Sequence, residues 1–267
     1  MSNHSAQFWL LICKPLESIP DLVEGGPLVV IVDGLDECNA SEELLAVLAE
    51  GFGPSLPFMH LIVTSRPVQH IATVFEGKSC VYPLYLDTSL KAVNDDIHFY
   101  LEQKFATICN NPFQKKCIEL DAVNKLTAWA SGLFIWAATV VKFVHASPGI
   151  SRLQALLDTE PPRDATEALT TLYHTSLETL MSEPGANADI KKYVQSVLGA
   201  LLVTKICPWK IPEMSEDILD NIVLQGEDNP SSHHIVSMLG SVLSPQTEDQ
   251  PIQIIHKSFD DFLQDQS

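Results

Sequence analysis

Four side chains early in the chain are of types that do phosphate chemistry, and each sits just past an apolar run. Asp33, Asp36 and Glu37 close the stretch PLVVIVDGLDE, Pro27 to Glu37, and Arg66 closes MHLIVTSR, Met59 to Arg66. Clustered carboxylates suit a hydrated Mg²⁺ ion and a water to be activated. An arginine emerging beside them can sense or stabilise the charge of a γ-phosphate. On this reading PLVVIVDGLDE is a Walker B motif. A plainer reading makes it a buried strand followed by an acidic helix start, with Asp36 or Asn39 as the cap and Ser41-Glu42-Glu43 favouring the helix dipole. Taken alone, Arg66 is more readily a surface residue ahead of the helix-starting Pro67; beside the acidic strand end it is not.

The elements around these residues decide between the two. Leu28 to Val32 is five consecutive branched aliphatics after the turn signal Gly25-Gly26-Pro27, which predicts a strand buried on both faces. Ser41 to Glu50 fits a helix with Leu44, Leu45 and Leu48 inward, and Met59 to Val63 reads as a second buried strand. Strand, helix and strand with short loops make a βαβ unit and a parallel sheet, whose ligands bind beyond the carboxyl ends of the strands. Upstream, residues 6 to 18 place Phe8, Leu11, Ile12 and Leu16 at helical spacing, as part of something larger. Downstream, Cys80 to Leu86 alternates and predicts a strand that closes the sheet. Between them, Ala72 to Ser79, ATVFEGKS, meets the loose pattern [AG]xxxxGK[ST] with Gly77, Lys78 and Ser79. A phosphate loop must lead from a strand end into a helix start. Here Val68 to Phe75 reads as a helix and the strand comes after, so the order is reversed.

The remainder reads as helices. Asn94 to Ile108 places Ile97, Leu101, Phe105 and Ile108 on one face; Ala122 to Ala130 follows, Ser131-Gly132 breaks it, and Leu133 to His145 is apolar enough to be a core helix. Ala168 to Leu180 and Asp189 to Ile206 trace long amphipathic helices. Pro212 to Val223 and His233 to Leu239 are shorter, and Ser241 to Leu243 pairs with Pro251 to His256 as a hairpin, a shape that suits a winged helix. The domains expected are 1–88, 89–185 and 186–267, an α/β part followed by an all-α part.

Composition narrows the function classes. A formal charge of −18, from 16 basic and 34 acidic residues, argues against nucleic acid and anionic membrane as partners. Residues 186–267 hold twelve Asp or Glu against five Lys, which favours a protein-facing or intramolecular role for the winged-helix part. Leu133 to Val144, the longest apolar run, is interrupted by Thr139 and Lys142 and falls short of the roughly 20 residues that span a bilayer. Six cysteines without a CxxC pair, and no signal peptide, point to free thiols and a cytoplasmic location. His98, Cys109 and Cys117 can be imagined as a metal site, but scattered buried cysteines explain them more simply.

IVDGLDEC, IVTSRP, SGLFIWAATVVKFV and IIHKSFDDFL, in that order, resemble the NACHT-type signal-transducing NTPases common in fungi, a branch of the STAND class of P-loop ATPases. The resemblance implies the distal half of a parallel-sheet P-loop NTPase core, then a helical domain and a winged-helix-like domain. It assigns Mg²⁺ to Asp33, the hydrolytic water to Asp36 or Glu37, the γ-phosphate to Arg66 and, loosely, the β-phosphate of ADP to His256. Mg²⁺ and ATP or ADP are the cofactors of complete relatives, and protein partners or self-association go with the family's role as a switch. The chain departs from the pattern in one respect: residues 1–26 hold no Gly-Lys pair and no glycine before Gly25, so GxxxxGK[ST] is missing ahead of the Walker B. The expectation is therefore weak or no nucleotide binding by this chain alone. A non-enzymatic scaffold or decoy is the competing expectation.

Overall fold

The computed structural model describes residues 3–19, 26–38, 40–52, 56–108, 111–145, 149–182, 190–206, 214–226, 229–245, 247 and 251–265. Gly25, Asn39, Cys109, Asp189 and Pro212, named above, lie outside them. The chain divides into two units, residues 1–86 and 87–267.

The first unit opens with α1 (Asn3–Phe8), a π-helical turn (Trp9–Cys13) and α2 (Lys14–Glu17). The strand β1 (Leu28–Val32) follows, then a 3-10 turn (Leu35–Glu37), α3 (Glu42–Gly51), β2 (Met59–Val63) and α4 (Gln69–Phe75). Ser41 caps α3, accepting from the Leu44 amide. β1 and β2 pair in parallel with Leu28 opposite Met59 and Val32 opposite Val63. The βαβ unit read from the sequence is thus present.

One face of this sheet is covered. Leu28 and Val30 pack with Phe8, Cys13, Leu56 and Met59, while Val32 and Val63 pack with Leu35, Leu45 and Ile71. The other face is open: Val29, Ile31 and Ile62 are 54%, 68% and 51% exposed. The expectation of burial on both faces fails here because no described element lies over that side. Cys80 to Leu86 forms no strand, and Tyr82, Leu84, Tyr85 and Leu86 are exposed. Alternation shows that a segment can pair, not that an edge is there to receive it, and Pro83 has no N–H to donate. The N-terminal helices likewise leave Trp9, Leu10, Leu11 and Ile12 exposed.

The second unit is helical: α5 (Lys91–Ala106), α6 (Asn111–Glu119), α7 (Ala122–Trp129), α8 (Phe134–His145), α9 (Gly149–Leu157), α10 (Ala165–Ser182) and α11 (Ile190–Ile206). α12 (Glu216–Ile218) runs into a π-helical turn (Leu219–Val223), and α13 (Ser232–Met238) begins at the cap Ser231. A short antiparallel hairpin of β3 (Leu243–Ser244) and β4 (Gln253–Ile254) leads into α14 (Lys257–Asp265). Among the described residues two cores fill the unit. Residues from Ile97 to Leu172 build one, centred on Trp136, whose Nε1 donates to the Ala168 carbonyl at 2.9 Å; residues from Tyr173 to Phe262 build the other. Leu169 packs against both, which makes α10 their shared wall. The break at Ser131-Gly132 is a left-handed turn, with φ of 48° and 77°. A Cβ on Gly132 would lie 2.0 Å from the Thr88 carbonyl oxygen, so only glycine fits.

Candidate functional site

Asp33 and Thr64 are the first residues beyond the paired strands, and the register that sets Val32 opposite Val63 sets these two opposite each other. The Thr64 hydroxyl donates to Asp33 Oδ1 and accepts from the Gly34 amide at 2.9 Å. Thr64 also donates its own amide to the Val32 carbonyl and accepts from the Leu35 amide, both at 2.9 Å. Gly34 adopts a left-handed conformation, φ 64°, which turns the chain into the 3-10 segment carrying Asp36 and Glu37.

Asp36 folds back across the strand ends onto Arg66. Its Oδ1 accepts the Arg66 backbone amide at 2.9 Å, and its Oδ2 accepts Arg66 Nε at 2.6 Å. The Asp36 side chain is 5% exposed and that of Arg66 49%. Burial by itself would raise the Asp36 carboxyl, but the hydrogen bonds and positive charge from Arg66 outweigh it and hold the group below the ordinary carboxylate value. Glu37 is exposed and lies over Gly34: a Cβ there would sit 3.4 Å from Glu37 Cγ and Cδ.

The strand-end residues named from the sequence are therefore together, at the carboxyl end of a parallel pair. The sequence reading missed Thr64 as the bridge and Asp36 as the clamp on Arg66. A signal for the first existed, since Asp33 and Thr64 share the offset of the paired strands, but it becomes visible only once the register is known.

His256 belongs to the second unit, between β4 and α14. Its Nδ1 lies 2.7 Å from Ser258 Oγ and accepts the Ser258 amide at 3.1 Å, while Ser258 Oγ also meets Tyr173 Oη at 2.7 Å. In this place the imidazole caps the start of α14. The same helix carries Asp260, 4% exposed at its side chain, which accepts from Lys257 at 2.8 Å and Lys205 at 3.3 Å. Of the imagined thiol site, His98 bonds Asn124 Oδ1 at 3.1 Å, and burial pushes the Cys117 thiol up to about 11. Lys78, from the phosphate-loop look-alike, pairs with Glu50, and the turn holding Gly77 follows helix α4 rather than preceding one.

The donor set tests the cofactor that the resemblance implies. The exposed Asp33 carboxylate, anchored through one oxygen by Thr64, suits a hydrated Mg²⁺ ion, which keeps most of its own waters. Among the described residues no three His, Cys, Asp or Glu side chains converge to enclose a bare ion. Phosphate is a different matter. The amides of Gly34, Leu35, Glu37 and Cys38 all donate within the turn or to Thr64, so this turn offers no amide cradle. The residues present fit the metal side of a metal–nucleotide site and not the phosphate side.

A family model described as nephrocystin 3, N-terminal, matches residues 2–66, a span that contains β1, α3, β2 and all four strand-end residues and stops at Arg66. No curated protein and no solved structure matches the chain. Among the described residues no helix is long and apolar enough to cross a membrane.

Proposed function

We propose that residues 1–86 are the distal half of a NACHT-type nucleotide-binding core of the STAND class, and that the second unit supplies the helical and winged-helix parts of the same ATP-driven switch. The observation that carries this reading is the convergence of Asp33, Asp36, Glu37 and Arg66 at the carboxyl end of an in-register parallel pair. In it, Asp33 holds hydrated Mg²⁺, with its orientation fixed by Thr64. Both Asp36 oxygens are engaged by Arg66, so Asp36 aims the guanidinium and Glu37 is the carboxylate left to orient water. Mg²⁺ would neutralise phosphate charge when the nucleotide is bound. Among the described residues no amide cradle faces these groups, so the chain by itself holds ATP weakly or not at all. A titration with a fluorescent ATP analogue and Mg²⁺ tests this: shallow, non-saturating binding is expected. A low-micromolar Kd that Asp33→Ala abolishes would overturn it.

The open sheet face supports a second reading, a non-enzymatic scaffold or decoy that acts in the cytoplasm through protein contacts. Parallel sheets are ordinarily covered on both sides, and Val29, Ile31 and Ile62 are not. Association with a complete relative that is indifferent to ATP and ADP favours the scaffold; association that depends on the nucleotide favours the switch.

A further inference from the structure

Among the described residues β1 is bonded to β2 on one side and to no strand on the other. The ladder fixes where its backbone groups point. Leu28 donates to the Phe58 carbonyl at 2.8 Å and Val32 accepts from the Thr64 amide at 2.9 Å, so Leu28, Val30 and Val32 bond toward β2. Val29 and Ile31 therefore direct their N–H and C=O groups away from β2, along the outer edge of β1. The same two residues carry exposed side chains on the open face. Edge strands are ordinarily blunted by charge, proline or a bulge, and LVVIV has none of these.

The outer edge of β2 differs. Its edge-pointing residues, Met59, Leu61 and Val63, lie on the covered face, and the Met59 amide is taken by the Leu56 carbonyl at 2.9 Å. Nor does the chain's own unpaired apolar segment, Cys80 to Leu86, pair with β1. It is tied to the end of α3, where Cys80 Sγ donates to the Ala49 carbonyl at 3.4 Å.

We propose that the outer edge of β1 pairs antiparallel with β1 of a second copy of this chain, joining the two sheets into one. The strand is self-complementary about Val30. A two-fold axis there sets Val29 of each copy opposite Ile31 of the other, and each such pair exchanges both N–H···O bonds. Shifting the axis by one residue spoils the match: centred on Ile31, Val29 faces Asp33, and centred on Val29, Ile31 faces Pro27, which has no N–H. The formal charge of −18 on each copy opposes association, and the register limits that cost. Asp33 lies opposite Pro27, so the two Asp33 residues stand about 20 Å apart along the strands, well beyond the roughly 8 Å screening length at physiological salt. The proposal needs only β1 and β2 and rests on neither reading of the strand-end site.

Sedimentation equilibrium of the full chain tests it. A strand pair this short is small beside a standard interface, so a mass of twice 29.4 kDa is expected at about 100 μM, falling toward 29.4 kDa near about 1 μM. Raising the salt should tighten the dimer. Ile31→Pro removes an edge-pointing N–H and no bond to β2; it should be monomeric, with the Val30 and Ile62 amides still protected from exchange. Ile62→Asp charges the open face away from the edge and should remain dimeric. In the native chain, whatever the variants do to folding, hydrogen exchange at the Val29 and Ile31 amides should slow several-fold from the lower concentration to the higher, and exchange at Leu61 and Val63 should not. A native chain that is monomeric at about 100 μM, a dimer that Ile31→Pro leaves intact, or exchange at Val29 and Ile31 indifferent to concentration overturns the proposal. A dimer that Ile62→Asp dissolves also overturns it, by showing that the open faces stack instead.

Discussion

Replacing Asp36 by alanine removes a side chain that ties the turn after β1 to the turn after β2. Two hydrogen bonds to a carboxylate are lost, from the Arg66 amide at 2.9 Å and from Arg66 Nε at 2.6 Å. The amide bond reaches a nearly buried acceptor and contributes about 1.5 kcal/mol. The guanidinium is half exposed, so its arm contributes only about 0.5–1 kcal/mol. Asp36→Ala should therefore destabilise the strand pair by about 2–2.5 kcal/mol. Arg66→Ala keeps the backbone amide bond to Asp36 and loses the Nε arm, about 0.5–1 kcal/mol of this tie. Amide hydrogen exchange on peptides covering β1 and β2 reads this locally: exchange in Asp36→Ala should quicken by roughly 30- to 70-fold, and in Arg66→Ala by only a few-fold. The pH dependence has a fixed sign. The Asp36 carboxyl is lowered in the folded state, so its stabilisation is present above the ordinary carboxyl value, about 3.9, and is lost as the pH falls through the lowered one. Equal exchange rates in the two variants would refute the reasoning, because they would mean that the backbone bond to Asp36 contributes nothing.

Other outcomes follow from the same structure. Gly132→Ala forces a Cβ to within 2.0 Å of the Thr88 carbonyl oxygen at φ 77°, and should cost the second unit about 3 kcal/mol or more in urea unfolding. Asp260→Asn removes the shared charge partner of Lys205 and Lys257, both partly solvated, and should cost about 1–3 kcal/mol. Burial opposes ionisation of Asp260, but its lysine and glutamine partners win and lower its carboxyl, so this difference between native and variant should shrink as the pH drops below about 4. Thr64→Val keeps the shape and deletes the bridge from Asp33 to the Gly34 amide; exchange at Gly34 should quicken by about tenfold or less.

Local order was legible in the sequence wherever one segment carried its own reason to form. Leu28 to Val32 and Met59 to Val63 are strands because branched aliphatics fit a pleated sheet; the caps were missed, since Ser41 and not Asp36 or Asn39 caps α3, and Ser231 caps the helix expected to start at His233. What depends on a distant partner was not legible. Cys80 to Leu86 has the alternation of a strand and no described edge to pair with, and the outer face of β1 is as apolar as the inner one although nothing described covers it. The site divides the same way. Asp33, Asp36, Glu37 and Arg66 could be named because they follow two apolar runs. That Asp36 grips Arg66, and that Thr64 steadies Asp33, follow from a register which sequence alone leaves free. His256 was readable as a residue between strand and helix, and its bond to the Ser258 amide gives that position a capping role.

The central claim is that the strand-end residues form half of a nucleotide site. The most direct test is complementation: ATP and Mg²⁺ binding measured on this chain with and without a separate polypeptide supplying a strand, a GxxxxGK[ST] loop and the helix that follows. Tight binding should arise only in the mixture and be lost there with Asp33→Ala or Arg66→Ala. Tight binding by the chain alone, or a mixture whose affinity ignores both substitutions, would contradict the account.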